Sequence, residues 1–230
     1  MTTADWKAGR ENRELTQASA AHLLGVSQPY LSQLETGLRV ASAELAHKAA
    51  RLYGLPPTAL PLPDELVVKQ SSPNVLEQKL AFLGYPGFEH VRTRAKSNPA
   101  EVVLDAVTQE DLDVRLVEAL PWVLSTYVDL CWEWLRDRAK LKNAQNRLAY
   151  LVHLAGEAAA NRPNQSDAAR VLSKWERELE DARLANEGTL CRDSMPERER
   201  TWLRTNRPEA AAHWNLLTGI RADQLPYAAE

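Results

Sequence analysis

Apolar residues in this chain return every three or four positions. Strict alternation of β-branched or aromatic with polar side chains is almost absent, so the pattern predicts an all-α protein. Leu112, Leu116, Leu120 and Leu124 stand at i, i+4 spacing in a helix running from Glu110 towards Tyr127, which Pro121 must kink or split. Leu148, Leu151, Val152 and Ala155 form the stripe of a helix from Asn143 to Ala160. Val171, Leu172, Trp175 and Leu179 do the same for Ser166 to Asn186. Further helices are expected from Asn74 to Gly84, with Leu76, Leu80 and Leu83 on one face; at Pro99, behind Asn98; and over Asp129–Leu141. Two shorter ones are expected at Pro196–Thr205 and Pro208–Leu217.

Punctuation divides the chain into three zones. Residues 1–62 read as a compact domain of five short helices. Residues 63–98 read as a linker with one helix, broken by Pro63, Pro73 and Pro86, with Ser71-Ser72-Pro73-Asn74 as its flexible joint. Residues 99–230 read as a larger helical domain, a bundle or a short helical-repeat array.

The first zone holds the sharpest signal. Thr16 is an N-cap that opens a helix from Gln17 to Leu24, and Gly25 ends it with a positive φ. Val26 fills the turn. Ser27 caps the next helix, and Pro29 falls in its first turn, where a missing N–H costs nothing. Leu31 and Leu34 point inward, and Gly37 closes the helix. Two short helices joined by Gly-apolar-Ser make the helix-turn-helix geometry that reads the DNA major groove.

Leu15, Thr16, Gln17, Ala21, Leu24, Gly25, Val26, Ser27, Leu31, Ser32, Leu34, Glu35 and Gly37 together resemble the Xre/Cro-type family, that of the lambdoid phage repressors, over roughly residues 6–60. Ala20 departs from the family's larger aliphatic, a volume that Trp6 or Leu23 could fill. The resemblance implies a sequence-specific regulator of double-stranded DNA, acting as a homodimer on a palindromic operator. Gln28, at the start of the recognition helix, can bond adenine N6 and N7 bidentately. Gln33 can reach a second base or a thymine methyl. Ser32 and Tyr30 would touch backbone or base edges, unless Tyr30 packs against the preceding helix, and Pro29 offers an apolar surface. Gln17, Ser27, Thr36 and Arg39 are candidates for phosphate contacts, Arg39 being otherwise a solvated charge. The resemblance also implies a partly buried ion pair between Arg10 and Glu35.

Charge tempers this picture. The net charge is −3; residues 1–60 hold six Lys/Arg against five Asp/Glu, and the remainder 22 against 26. So small a positive excess implies weak binding per copy, which pairing of copies would remedy. There is no Gly-rich phosphate loop, GxSxG or HExxH, and the histidines lack metal spacing, so neither an enzyme nor a cofactor is expected. Glu110, Asp111 and Asp113 read as a helix N-terminus rather than a metal site. Six of seven tryptophans follow residue 120 and read mainly as core or interface, with a ligand cage as the alternative. Cys131 and Cys191 read as buried thiols. No apolar run nears the ~20 residues of a membrane span, and Met1-Thr2-Thr3-Ala4-Asp5 lacks the pattern of a signal peptide, so a cytoplasmic protein is expected.

The segments 98–103, 116–122 and 212–217 resemble the tail of bacterial regulators associated with toxin–antitoxin gene pairs. Three functions therefore stand beside one another: a dimeric repressor, an antitoxin whose C-terminal helices bind a toxin protein, and a regulator whose Trp-rich domain senses a small-molecule effector.

Overall fold

The structure, a computed structural model, describes residues 1–63, 70–93, 96–162 and 164–227. They fall into two compact units, the first holding 1–63 with 96–98, the second 70–93 with everything from Pro99 on. Residues 64–69 and 94–95 of the expected linker lie outside the described residues.

The first unit contains α1 (Thr3–Asn12), α2 (Gln17–Leu24), α3 (Gln28–Glu35), α4 (Ala43–Tyr53) and a 3-10 turn (Pro57–Ala59) as its fifth helix. Each α-helix opens on a hydroxyl, Thr2, Thr16, Ser27 or Ser42, which accepts the N–H three residues on. Gly25, at φ 76°, closes α2 in the left-handed region that side-chain-bearing residues avoid. Trp6, Ala20, Ala21, Leu24, Leu31, Leu34, Ala49 and Tyr53 make the core, with Val26 packed against it. Trp6 is buried in the same core as Ala20, whereas Leu23 is 48% exposed. Trp6 meets Tyr53 edge-on at 6.4 Å. Gly9 lets α1 approach α4, because a Cβ there would lie 2.9 Å from the Tyr53 ring.

The second unit comprises α5 (Pro73–Phe82), α6 (Pro99–Val107), α7 (Val114–Thr126), α8 (Trp132–Leu141), α9 (Gln145–Ala160), α10 (Ser166–Glu180), β1 (Gly188–Thr189), α11 (Glu197–Asn206), α12 (Glu209–His213) and β2 (Leu216–Leu217). It is a bundle around α9, which is buried on nearly every side from Leu148 to Ala159 and packs on α7, α8, α10 and α12. Pro121 does not split α7, which runs through it with Asp113 as its N-cap. The last predicted helix stops at His213; the chain then pairs in parallel, Gly188 opposite Leu216 and Thr189 opposite Leu217. Trp132, Trp175 and Trp214 are core, the first two stacked at 5.4 Å, whereas Trp202 is exposed. Both cysteines are free. Cys191 is buried, and burial pushes its thiol up to about 11; Cys131 is exposed, which corrects the reading of two buried thiols. Among the described residues no helix is long and apolar enough to cross a membrane.

The expected linker helix, α5, is core: Leu76 and Leu80 are buried, and the helix packs on α6 and α7. Nor is the Ser71 joint free. Ser71 donates its N–H to Asp105 Oδ1 at 3.0 Å, and its carbonyl accepts from Gln109 Nε2 at 3.0 Å. Asp105 has no solvent exposure, and its Oδ2 accepts from Lys79 Nζ at 3.2 Å; Lys79 also donates to Glu101 at 3.1 Å. Arg147 ties α9 to its surroundings through the carbonyls of Thr189, Val107 and Gln109 and the carboxylate of Asp193.

His153 joins α9 to α10. Its Nδ1 lies 2.9 Å from Glu176, its Nε2 3.6 Å from Glu157, and its ring stacks on Tyr150. The Glu176 hydrogen bond outweighs burial and raises the imidazole above its ordinary value. A raised folded-state value gives stability that is full below the unfolded pKa of about 6.5 and is lost as pH rises through the folded one. The difference in unfolding free energy between wild type and His153→Gln, measured by urea unfolding, should therefore shrink from pH 6 towards pH 8, by about 0.2–1 kcal/mol. A gap that does not change with pH contradicts this pairing.

Candidate nucleic-acid interface

Around α3 the side chains are ordered by one carboxylate. Arg10, on α1, grips Glu35 at the end of α3 with two bonds, Nε to Oε1 at 2.6 Å and Nη2 to Oε2 at 3.1 Å. The side chains are 11% and 4% exposed. Burial pushes the Glu35 carboxyl up, but hydrogen bonds from Arg10 and Gln17 prevail and hold it below the usual range. Arg10 Nη1 also donates to the Leu15 carbonyl at 2.9 Å, which ties down the entry to α2.

A carboxylate can only accept. Gln17, at the first turn of α2, therefore turns its NH₂ to Glu35, with Nε2 to Oε2 at 2.8 Å. That leaves Gln17 Oε1 facing the other way, where it accepts from Gln28 Nε2 at 3.0 Å. The amide of Gln28 is thus fixed by exclusion: one N–H is used, while one N–H and the oxygen remain for another molecule. Gln28 and Pro29 are exposed at the start of α3; Tyr30, Ser32 and Gln33 are half-buried along it.

The candidate phosphate contacts separate. Gln17 is engaged between Glu35 and Gln28. Ser27 Oγ accepts the Tyr30 N–H at 3.3 Å as helix cap. Thr36 donates its hydroxyl back to the Ser32 carbonyl at 2.9 Å, a bond that a phosphate would have to displace. Arg39 is exposed and lies over the Tyr30 ring at 5.8 Å, so Tyr30 positions a cation beside the recognition helix. Leu38 and Val40 flank Arg39 and are 78% and 90% exposed.

Residues 7–62 match the family model of a helix-turn-helix domain. The match covers about a quarter of the chain and contains every residue of this network. No curated protein and no solved structure matches the chain. The helix-turn-helix domain supports a DNA-binding regulator, and α2 and α3 are its two crossing helices.

Sequence reasoning missed Lys48. From α4 its Nζ donates to the Leu24 carbonyl at 2.8 Å, satisfying an open carbonyl at the end of α2. A basic side chain on α4 gives no hint of that target. Arg13, likewise, donates to the Tyr53 carbonyl at 3.0 Å. Among the described residues no group of three or more His, Cys, Asp or Glu is arranged to hold a metal.

Proposed function

We propose that this protein is a sequence-specific reader of double-stranded DNA of the Xre/Cro type, a transcriptional repressor that works in pairs. The observation that carries this reading is the orientation of the Gln28 amide. With one N–H given to Gln17, it offers one donor and one acceptor, which fits adenine N7 and N6. Guanine presents two acceptors at N7 and O6 and would leave the Gln28 oxygen without a donor. Gln33 sits further along the same helix to address a second base, and Arg39 supplies a phosphate contact from the following loop.

The weak positive excess of the first sixty residues supports pairing. One recognition helix with so little charge behind it gains little from counterion release, and two copies on half-sites about 34 Å apart multiply it.

Gel shift on DNA from the gene's own upstream region tests this reading. The Gln28→Ala/Gln33→Ala double variant is expected to lose about 2 kcal/mol of discrimination, roughly thirtyfold in affinity for the specific site, while binding unrelated DNA as before. Specific binding retained in the double variant would refute the assignment.

A further inference from the structure

A groove of about 790 Å³ opens in the second unit, between the start of α7, the loop after β1, α11 and the exit of β2. Its floor is apolar: Val117, Leu190, Met195, Leu203 and Leu217. That volume and lining suit a small organic molecule. The mouth is unlike the floor. Asp111, Asp113 and Glu199 line it with a single cation, Arg192. Arg192 is already neutralised by Glu199, Nη1 to Oε1 at 2.5 Å. Asp111 accepts the Ser194 N–H at 2.9 Å and hydroxyl at 2.7 Å, and the positive charges of Arg147 and Arg192 also favour its ionised form; Asp113 accepts the Arg115 N–H at 2.8 Å as the cap of α7. Among the described residues neither aspartate makes an ion pair within 4 Å, and three carboxylates against one guanidinium leave the lining with a formal charge of −2.

The groove also holds an exposed indole. Trp202 lines the same groove and is 59% exposed. Trp134 and Trp175 have protein cations over their rings, Arg138 on the one and Arg136 and Lys174 on the other. Among the described residues Trp202 has none. An exposed indole in a groove whose carboxylates outnumber its cations attracts a cation both by charge and by the ring quadrupole.

We propose that this groove binds an apolar organic cation, a primary ammonium on an alkyl or aryl body. The body lies on the Val117–Leu203–Leu217 floor, and the ammonium sits at the mouth with Asp111, Asp113 and Trp202. An anion of the same shape is repelled there, which sets the selectivity. The proposal stands apart from the DNA reading, since no residue of the first unit enters it.

Two probes of one shape and opposite charge, phenylbutylamine and phenylbutyrate, test it by calorimetry on the full chain at neutral pH. The amine is expected to bind saturably with a Kd of about 0.1–1 mM, as befits a ligand of its size, and the carboxylate at least about tenfold more weakly. Asp111→Asn keeps the oxygen that Ser194 bonds and removes only charge; it should weaken the amine about threefold or more and bring the two probes closer together. Trp202→Leu, at an exposed position, should weaken the amine and leave the fold intact by circular dichroism. Equal affinity for both probes, an amine that does not saturate, or amine binding that neither variant changes overturns the proposal.

Discussion

Asp105→Ala is expected to remove about 3–5 kcal/mol from the stability of the second unit. The carboxylate is wholly buried and binds three donors: Lys79 Nζ, the Ser71 N–H, and Gln109 Nε2 at 3.5 Å. Its removal leaves an ammonium whose side chain is 11% exposed with Glu101 alone, and Glu101 is itself only 23% exposed. The cost is mostly that of the stranded charge and of donors left without acceptors, rather than the worth of the pair. The joint variant Lys79→Met/Asp105→Leu should accordingly be much less damaged than Asp105→Ala, although it removes more polar atoms. Urea unfolding followed by tryptophan fluorescence gives both values, since six of the seven tryptophans report on this unit. A loss below about 1 kcal/mol for Asp105→Ala would show a hydrated aspartate and a pair of surface worth.

Arg10→Met is expected to cost the first unit about 3 kcal/mol, because it strands the nearly buried Glu35 carboxylate with Gln17 as its remaining donor. The pH dependence carries a sign. The folded carboxyl lies below its ordinary value of 4.5, so its stabilisation is full above that value and fades as pH falls through the folded one. The advantage of wild type over Arg10→Met should narrow on acidification below about pH 4.5. Amide exchange of residues 1–60, or the indole resonance of Trp6, isolates this unit from the other. Unchanged exchange protection in Arg10→Met would contradict the structural role of the pair. On the proposed reading the same variant should also lose selectivity for adenine over guanine, because Glu35, freed from Arg10, no longer holds the Gln17 amide in one place.

What the sequence disclosed about the fold was local. Thr16, Gly25, Ser27 and Gly37 announce the ends of α2 and α3 because caps and left-handed turns are chemistry of one or two residues. The stripes of α9 and α10 announce themselves by period. Where α10 ends did not. The helical pattern runs to Asn186, but the helix stops at Glu180 and the Leu184 N–H goes to the buried Asn146 amide instead. That is a tertiary bond with no trace in the spacing. β1 and β2 escaped because two residues carry no alternation. Asp105 stands as the one charge inside the apolar run Val102–Val107 and signals a buried partner, yet nothing in the run points to Lys79, 26 positions earlier. At the site, the residue set around α3 was legible. The order imposed on it was not, because which atom of Gln17 faces Glu35 is decided by contact between three helices.

If Gln28 reads a base as proposed, the same order places part of the recognition chemistry out of reach of the DNA. On the proposed reading Gln28 meets the base, but its acceptor and donor are set by Glu35 through Gln17, and Glu35 is held by an arginine of α1. A lineage could therefore change its operator preference by substitution at Arg10 or Glu35, with every groove-facing residue conserved. Alignments restricted to the recognition helix would miss such a change.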